Sequence, residues 1–329
     1  MLENSFNTLS LSLYELYLCA KESTLLPSFL GSTLRGAFGQ ALKDVVCIMN
    51  HRDCAKCIVF DRCTYPYIFE TPVPKDLHQL KGFQQAPHPF ILMPPIDRKG
   101  LSKNFDKVSI QAEQILPFRL TLIGKAQESL PYIIYALSQM AERGLGYARA
   151  KFQLVEVKHN NKTIYTIEQQ RLSNMTQAAH SLKELVTDRL KKLSTKDTIK
   201  LKFLTPSRIR VDGDLQTELT FQLLVRNLLR RLSMLFAVHA EKPLELNFKQ
   251  LIELASGAVV AESNLKWLDL ERYSNRQKTK MKIGGFVGEI AFSGEAIETF
   301  LPLIIAGEIL GIGTGTTFGL GHYQIEPAF

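Results

Sequence analysis

The chain has 329 residues, 45% apolar and 22% charged, a balance that reads as a soluble globular protein with length for two domains, each with its own core. Its longest apolar runs fall short of the ~20 residues that span a bilayer. The opening MLENSFNTLSLSL has no charged segment leading into an apolar one, so neither a membrane span nor a secretory leader is expected, and a cytoplasmic setting is. The formal net charge of +8 fits ordinary solubility, and it also fits a polyanionic partner whose phosphates release counterions on binding.

SLSLYELYL alternates with period two and predicts a strand, and LPSFLGSTLRGAFGQALKDVV spaces its apolar residues as an amphipathic helix. The next stretch, CIMNHRDCAKCIVFDRC, spaces Cys47, Cys54, Cys57 and Cys63 as C-x6-C-x2-C-x5-C, with Cys19 apart. In a cytosolic chain such a cluster favours metal thiolate over disulfides, and the C-x2-C pair is the usual first half of a zinc site. Four thiolates with no open position would make a structural centre, zinc or iron–sulfur, that pins a loop; the plain alternative is four reduced thiols. Further strands are read in HPFILMP and VSIQAEQILPFRLTLIG. A Gly124-x-Ala126 turn, a Leu130-Pro131 pair, an apolar helix and a GLG loop then lead to a strand ending at Val157. Proline suits a helix's first turn, where its missing N–H has no partner to lose.

MTQAAHSLKELVTDRLKKLS is read as a charged connecting helix, and after it the pattern returns. TIKLKFL is a strand, LTFQLLVRNLLRRLSMLFAVH a helix, and LKWLDLERYSNRQ and FVGEIAFSG are strands. Gly294-x-Ala296, Leu301-Pro302, the apolar FLPLIIAGEIL and a strand ending at Glu326 complete it. The order β-α-β-β-α-β occurs twice, which is the ferredoxin-like (RRM-like) unit. The expected fold is α+β, two tandem ferredoxin-like domains. The first covers residues 1–160 with the cysteine cluster inserted, a partly helical connector covers 161–198, and the second covers 199–329 with a glycine-rich loop before its last strand.

That loop, GIGTGTTFGLGHYQIEP, asks for a backbone that approaches something closely. Glycine permits positive φ, and successive N–H groups in such a loop can form an anion-binding nest. Gly313, Gly315, Gly319 and Gly321 would shape it, and the hydroxyls of Thr314, Thr316 and Thr317 could reach phosphate or ribose. The P-loop signature GxxxxGK[ST] is absent. A long turn with no ligand is the plain alternative.

LRGAFGQAL, CAKCIVFDRCTYPYIFETP, LKFLTPSRI, LLRRLSMLFAVH, WLDLERYSNRQ and GIGTGTTFGLGHY, spread in order over nearly the whole chain, resemble the RAMP superfamily of CRISPR-associated proteins. The likeness is to its repeat-processing endoribonucleases, the Cas-six family. The resemblance implies RNA held by two ferredoxin-like domains, with CRISPR repeat RNA and its precursor transcript as partners, along with other CRISPR effector subunits. It implies cleavage at a hairpin base or in an unpaired segment, with no cofactor for catalysis, leaving a 5′-hydroxyl and a 2′,3′-cyclic phosphate.

Such chemistry needs a base for the 2′-OH proton, an acid for the leaving 5′-oxygen, and cations or N–H donors for the phosphorane charge. The family often places its base on or beside the first helix. LRGAFGQALKDVV has no histidine; Gln40 stands where one is sought, and Lys43 nearby could stabilise charge. Histidine suits proton transfer, and the candidates are His239 at a helix end and His322 just past the glycine loop. His51, inside the cysteine cluster, is a metal ligand or a loop residue. ERYSNRQKTKMK holds Arg272, Tyr273, Ser274, Arg276, Gln277, Lys278, Lys280 and Lys282. Tyr273 there could stack on a base or orient a ribose, and Arg276 could grip phosphate; a solvated basic hairpin is the alternative. Arg35, Arg230 and Arg231 on the two first helices, and Arg143, Arg149 and Lys151 around the first GLG, are further cations. Two other readings stand beside the nuclease. One is an RNA-holding subunit without catalysis. The other is a metal-dependent nuclease, disfavoured because no carboxylate cluster stands out.

Overall fold

A computed structural model describes residues 2–49, 53–73, 86–96, 107–173, 179–193, 197–211, 213–274 and 279–326, with 271–274 and 279–282 described by backbone alone. Two compact units result, one from residues 11–95 and 105–179, the other from 1–10, 96–104 and 180–329.

In the first unit, β1 (Ser10–Ala20) buries Tyr14, Leu16, Leu18 and Ala20 on one side, the period-two pattern of a half-buried strand. After β2 (Thr24–Leu26), α1 (Gly31–Val46) buries Leu34, Phe38, Ala41 and Leu42, one stripe at helical spacing. There follow β3 (Phe90–Met93), β4 (Val108–Ile110), β5 (Ile115–Ile123), α2 (Leu130–Arg143), β6 (Phe152–His159) and β7 (Lys162–Thr166). The main sheet runs β3-β5-β1-β6-β7, antiparallel throughout, and β2 pairs with β4 apart from it. Pro131 stands in the first turn of α2, as expected, and Gly144 with φ +92° ends that helix. Both helices share one apolar core with the sheet.

The second unit contains β8 (His180–Ser181), α3 (Leu182–Leu190), β9 (Thr198–Ser207), β10 (Arg210–Val211), β11 (Asp214–Leu215), α4 (Phe221–His239), α5 (Phe248–Leu254), β12 (Val259–Ser274), β13 (Thr279–Ser293), α6 (Ile297–Leu310) and β14 (Tyr323–Glu326). Its sheet runs β12-β13-β9-β14. In both sheets the first strand is flanked by the third and fourth, so the strand order repeats as the sequence does. The helix of the charged connector is α3, opened by a capping box between Ser181 and Glu184. Thr220 caps α4 by accepting from the Leu223 N–H. α6 is buried nearly all round, which is why FLPLIIAGEIL shows no polar stripe. It begins at Ile297, a turn earlier than the Leu-Pro pair predicts, so Pro302 lies in the helix interior and deprives the Glu298 carbonyl of its partner. Among the described residues no helix is long and apolar enough to cross a membrane.

Candidate functional site

The glycine loop leaves α6 at Gly311 and enters β14 at Tyr323. Gly313 has φ +73° and Gly321 φ +71°, and a Cβ on either would collide with a backbone carbonyl, that of Arg208 for Gly313 and that of Ile312 for Gly321. The close approach that these glycines permit is therefore made inside the unit. The Thr314 N–H donates to the Arg208 carbonyl (3.1 Å), Gly321 to Pro206 (3.1 Å), Ile312 to Gly321 (2.9 Å) and Gly319 to Thr316 (3.0 Å). Pro206 is accommodated because β9 bulges there, its register against β13 shifting between Phe286 and Gly288. The amides of Gly313, Gly315 and Thr316 have no acceptor among the described residues. Around them Thr314 is exposed, Gly313, Gly315 and Thr317 are half-buried, and Thr316 is buried.

Two arginines hold the stems. Arg231 spends Nε (3.0 Å) and Nη2 (2.6 Å) on the Leu310 carbonyl at the end of α6, and burial pushes its pKa down to about 10. Arg189 on α3 donates from Nε and Nη2 to the two carboxylate oxygens of Glu308 (2.9 and 3.2 Å) and from Nη2 to the Ile325 carbonyl (3.2 Å). Glu308 also accepts the Ile325 N–H at 2.8 Å, so one ion pair ties the helix before the loop to the strand after it. Tyr323 donates its hydroxyl to the Ile304 carbonyl at 2.6 Å, and burial, then Glu308, raises its pKa well above the usual tyrosine value.

Of the proton-transfer candidates, His322 is only 7% exposed. Its N–H donates to Thr205 Oγ1 (2.9 Å) and its carbonyl accepts from Leu204 (2.9 Å), which seats it against the β9 bulge. His239 is also buried, at the last residue of α4; two residues on, Glu241 N–H bonds the Thr8 carbonyl. Tyr273 pairs by backbone with Lys280, Arg272 with Met281, Ser274 with Thr279 and Glu271 with Lys282, so the basic hairpin is a hairpin; Arg276, Gln277 and Lys278 lie outside the described residues, as does His51. Within this unit the loop, His322 and Arg231 come together, and Arg230 is exposed. Arg35 and Lys43 belong to the first unit. Arg35 lies over the Phe69 ring at 5.3 Å and Lys43 over Tyr65 at 5.1 Å. Gln40 donates to Asp44 at 3.0 Å, and Asp44 also pairs with Arg143.

The comparisons with known proteins agree with this architecture. Residues 9–177 match AF_1859_N, an N-terminal domain model, and residues 201–323 match the model of CRISPR-associated endoribonuclease Cas6. Residues 201–323 thus form a Cas6-family domain. An uncharacterized protein of Archaeoglobus fulgidus is 26% identical over 304 residues, covering 92% of this chain and 93% of that one. The Cas6 (TTHB231) product complex aligns with TM-score 0.57 at 18% identity, over 96% of this chain and 100% of the other. Thermus thermophilus Cas6 (TTHB231) gives 0.54 at 18%, over 97% and 99%. A chain of a partial Cas6-RT-Cas1–Cas2 complex gives 0.59 at 13% identity, over 98% of this chain and 47% of that one. These structural likenesses are likenesses of fold.

The four clustered cysteines follow α1 in the first unit. Cys57 and Cys63 each close a 3-10 turn, Cys54–Lys56 and Phe60–Arg62. Cys47 Sγ lies 3.7 Å from the Met49 carbonyl. Burial raises the Cys54 pKa, and the Lys43 ammonium beside it opposes that shift. Among the described residues no three His, Cys, Asp or Glu side chains gather where a metal could bind, whereas a four-thiolate centre needs all four sulfurs ~2.3 Å from one point. Sequence reasoning missed Arg208, whose backbone carries the loop, although SRIR at the end of β9 placed a cation there. It also missed Arg189 and Glu308, which have no local signature because their contact joins residues 119 apart.

Proposed function

We propose that this protein binds CRISPR repeat RNA and cleaves precursor CRISPR RNA without a catalytic metal. The ribose 2′-oxygen bonds to the adjacent phosphorus as the P–O5′ bond breaks, leaving a 2′,3′-cyclic phosphate and a 5′-hydroxyl. The 2′-OH proton goes to a protein base and the departing 5′-oxygen takes one from a protein acid. The Cas6-family domain supports the class of reaction. The observation that carries the site is the trio of amide donors at Gly313, Gly315 and Thr316, with Thr314 and Thr317 beside them on stems that Arg189 and Arg231 immobilise. Such donors suit phosphate oxygens, and a fixed scaffold spares the complex the entropy of ordering them. Arg230, Arg272, Arg276, Lys278 and Lys280 supply cationic contacts in this reading, and Gln277, Ser274 and Tyr273 contact ribose or base. Tyr273 and His322 are the proton-transfer groups proposed first, with His239 after them, and Arg35 and Lys43 serve RNA from the first unit. The matching strand orders support two ferredoxin-like domains as the frame, and other CRISPR proteins are proposed partners.

One observation favours a second reading, a RAMP subunit that holds guide RNA without cutting it. The first helix lacks a histidine, and both His239 and His322 are buried. Incubation with the repeat RNA of its own CRISPR array in EDTA decides between them. Cleavage that disappears with a 2′-deoxy nucleotide at the cut site supports the nuclease; tight binding with intact RNA supports the subunit.

A further inference from the structure

Trp267 is the only tryptophan in the chain, and it sits partly exposed on β12 rather than in a core. Its indole N–H donates to Asp269 Oδ1 at 3.0 Å. Beyond Phe286, the residue opposite Trp267, the facing strand is bare backbone, since Leu268 pairs with Gly285 and Asp269 with Gly284. A Cβ on Gly284 would stand 2.5 Å from the indole Nε1 and 2.8 Å from Cε2, so the ring rests against bare backbone and Gly284 is buried beneath it. A large aromatic is thus fixed in orientation while part of it stays in water.

Its position relates it to the glycine loop. Trp267 pairs across the hairpin with Phe286, so the two share a face of the sheet. The Phe286 ring packs on Phe203 (5.1 Å) and Phe203 on Tyr323 (5.3 Å), whose hydroxyl bonds α6 at Ile304. Trp267 therefore lies on the face that α6 covers and from whose end the loop departs. Phe286 in turn pairs with Ser207, and the next carbonyl, that of Arg208, takes the Thr314 N–H. Two strand spacings separate Trp267 from that segment, ~10 Å, a span of about three stacked nucleotides. The opposite face is unsuited to RNA backbone, because Lys200 and Lys202 are each bridged to Glu289 and Glu326 at 2.8–3.8 Å.

We infer that Trp267 is a stacking platform for an unpaired base of the RNA whose phosphate the glycine loop receives. This rests on the RNA-binding reading above. Every base has a π-face, and an indole held by Asp269 loses little freedom when a base covers it. Asp269 is then a positioning residue.

Because Trp267 is the sole tryptophan, its emission reports this one site. The full-length protein is titrated with its repeat RNA while binding is followed independently by anisotropy of labelled RNA. Quenching with the same midpoint as the anisotropy is expected. Trp267→Ala should weaken binding about tenfold with the salt slope unchanged, because stacking neutralises no phosphate, and Trp267→Phe should recover part of the loss. RNA that binds with unmoved emission and with full affinity for Trp267→Ala overturns the platform and leaves the RNA reading standing. No binding by either method overturns both.

Discussion

Gly313→Ala tests whether the loop's shape is demanded by the protein itself. At φ +73° an L-residue pays roughly 1–2 kcal/mol. The new Cβ would also enter the space of the Arg208 carbonyl oxygen, which can be cleared only by surrendering the 3.1 Å bond from the Thr314 N–H, worth about 1 kcal/mol. The sum is a loss of about 2–3 kcal/mol, or a displaced loop. Urea unfolding followed by Trp267 emission reads this, because that tryptophan reports the unit containing the loop. RNA affinity should fall together with stability, by about tenfold or more, since the amides of Gly313, Gly315 and Thr316 move with the backbone. Gly36→Ala is the control: nothing lies within 4 Å of its Cβ and it sits exposed in α1, so it should stabilise by about 0.5–1 kcal/mol. An unchanged midpoint and unchanged affinity for Gly313→Ala would refute the reasoning.

The remaining expectations concern electrostatics and metal. Lys200 and then Lys202 hold the Glu289 carboxyl below its usual value of 4.5. A depressed carboxylate pKa stabilises the fold above the unfolded value and loses that contribution as pH falls through the folded one, so Glu289→Gln should flatten the acid limb of a stability–pH profile below about pH 4.5. Arg189→Ala should cost about 2 kcal/mol, since its partner Glu308 is only 15% exposed; a double-mutant cycle with Glu308→Gln that shows no coupling removes the staple. Arg276→Ala should reduce the slope of log K against log salt by about 1, and an unchanged slope excludes it from phosphate contact. EDTA dialysis should leave far-UV circular dichroism and the unfolding midpoint unaltered; a lower midpoint restored by zinc would show that the four cysteines converge on a metal.

Strands and long helices were legible because burial imposes a period. TIKLKFL and SLSLYELYL alternate since one face meets a core, and LTFQLLVRNLLRRLSMLFAVH repeats at helical spacing for the same reason. Short elements carry no such imprint. The β2–β4 pair, the β10–β11 hairpin, β7 and α5 are each too brief for periodicity to separate from a loop. The start of α6 was misplaced because Pro302 resembles a first-turn proline until tertiary packing extends the helix behind it. The cysteine spacing has a related limit: a C-x2-C pair is a local pattern, while a metal centre is a convergence of side chains in space.

The site shows a sharper limit. A glycine kept for a ligand and a glycine kept for a neighbouring carbonyl leave the same letter in the sequence, and Gly313 proves to be packed on Arg208. Arginine is equally ambiguous. Arg230 and Arg231 are adjacent, yet a helix turns ~100° per residue, which leaves Arg230 exposed and directs Arg231 into the Leu310 carbonyl. The count of 40 Lys and Arg therefore overstates the cations available to RNA, because Arg189, Arg231, Lys200 and Lys202 are already engaged within the fold. If the loop and the basic hairpin together bind the phosphates, substitutions that neutralise these engaged groups should lower stability while leaving the salt dependence of RNA binding almost unchanged. Neutralising Arg230 or Lys280 should do the reverse, and that opposition separates scaffold from ligand contact in a way that total charge cannot.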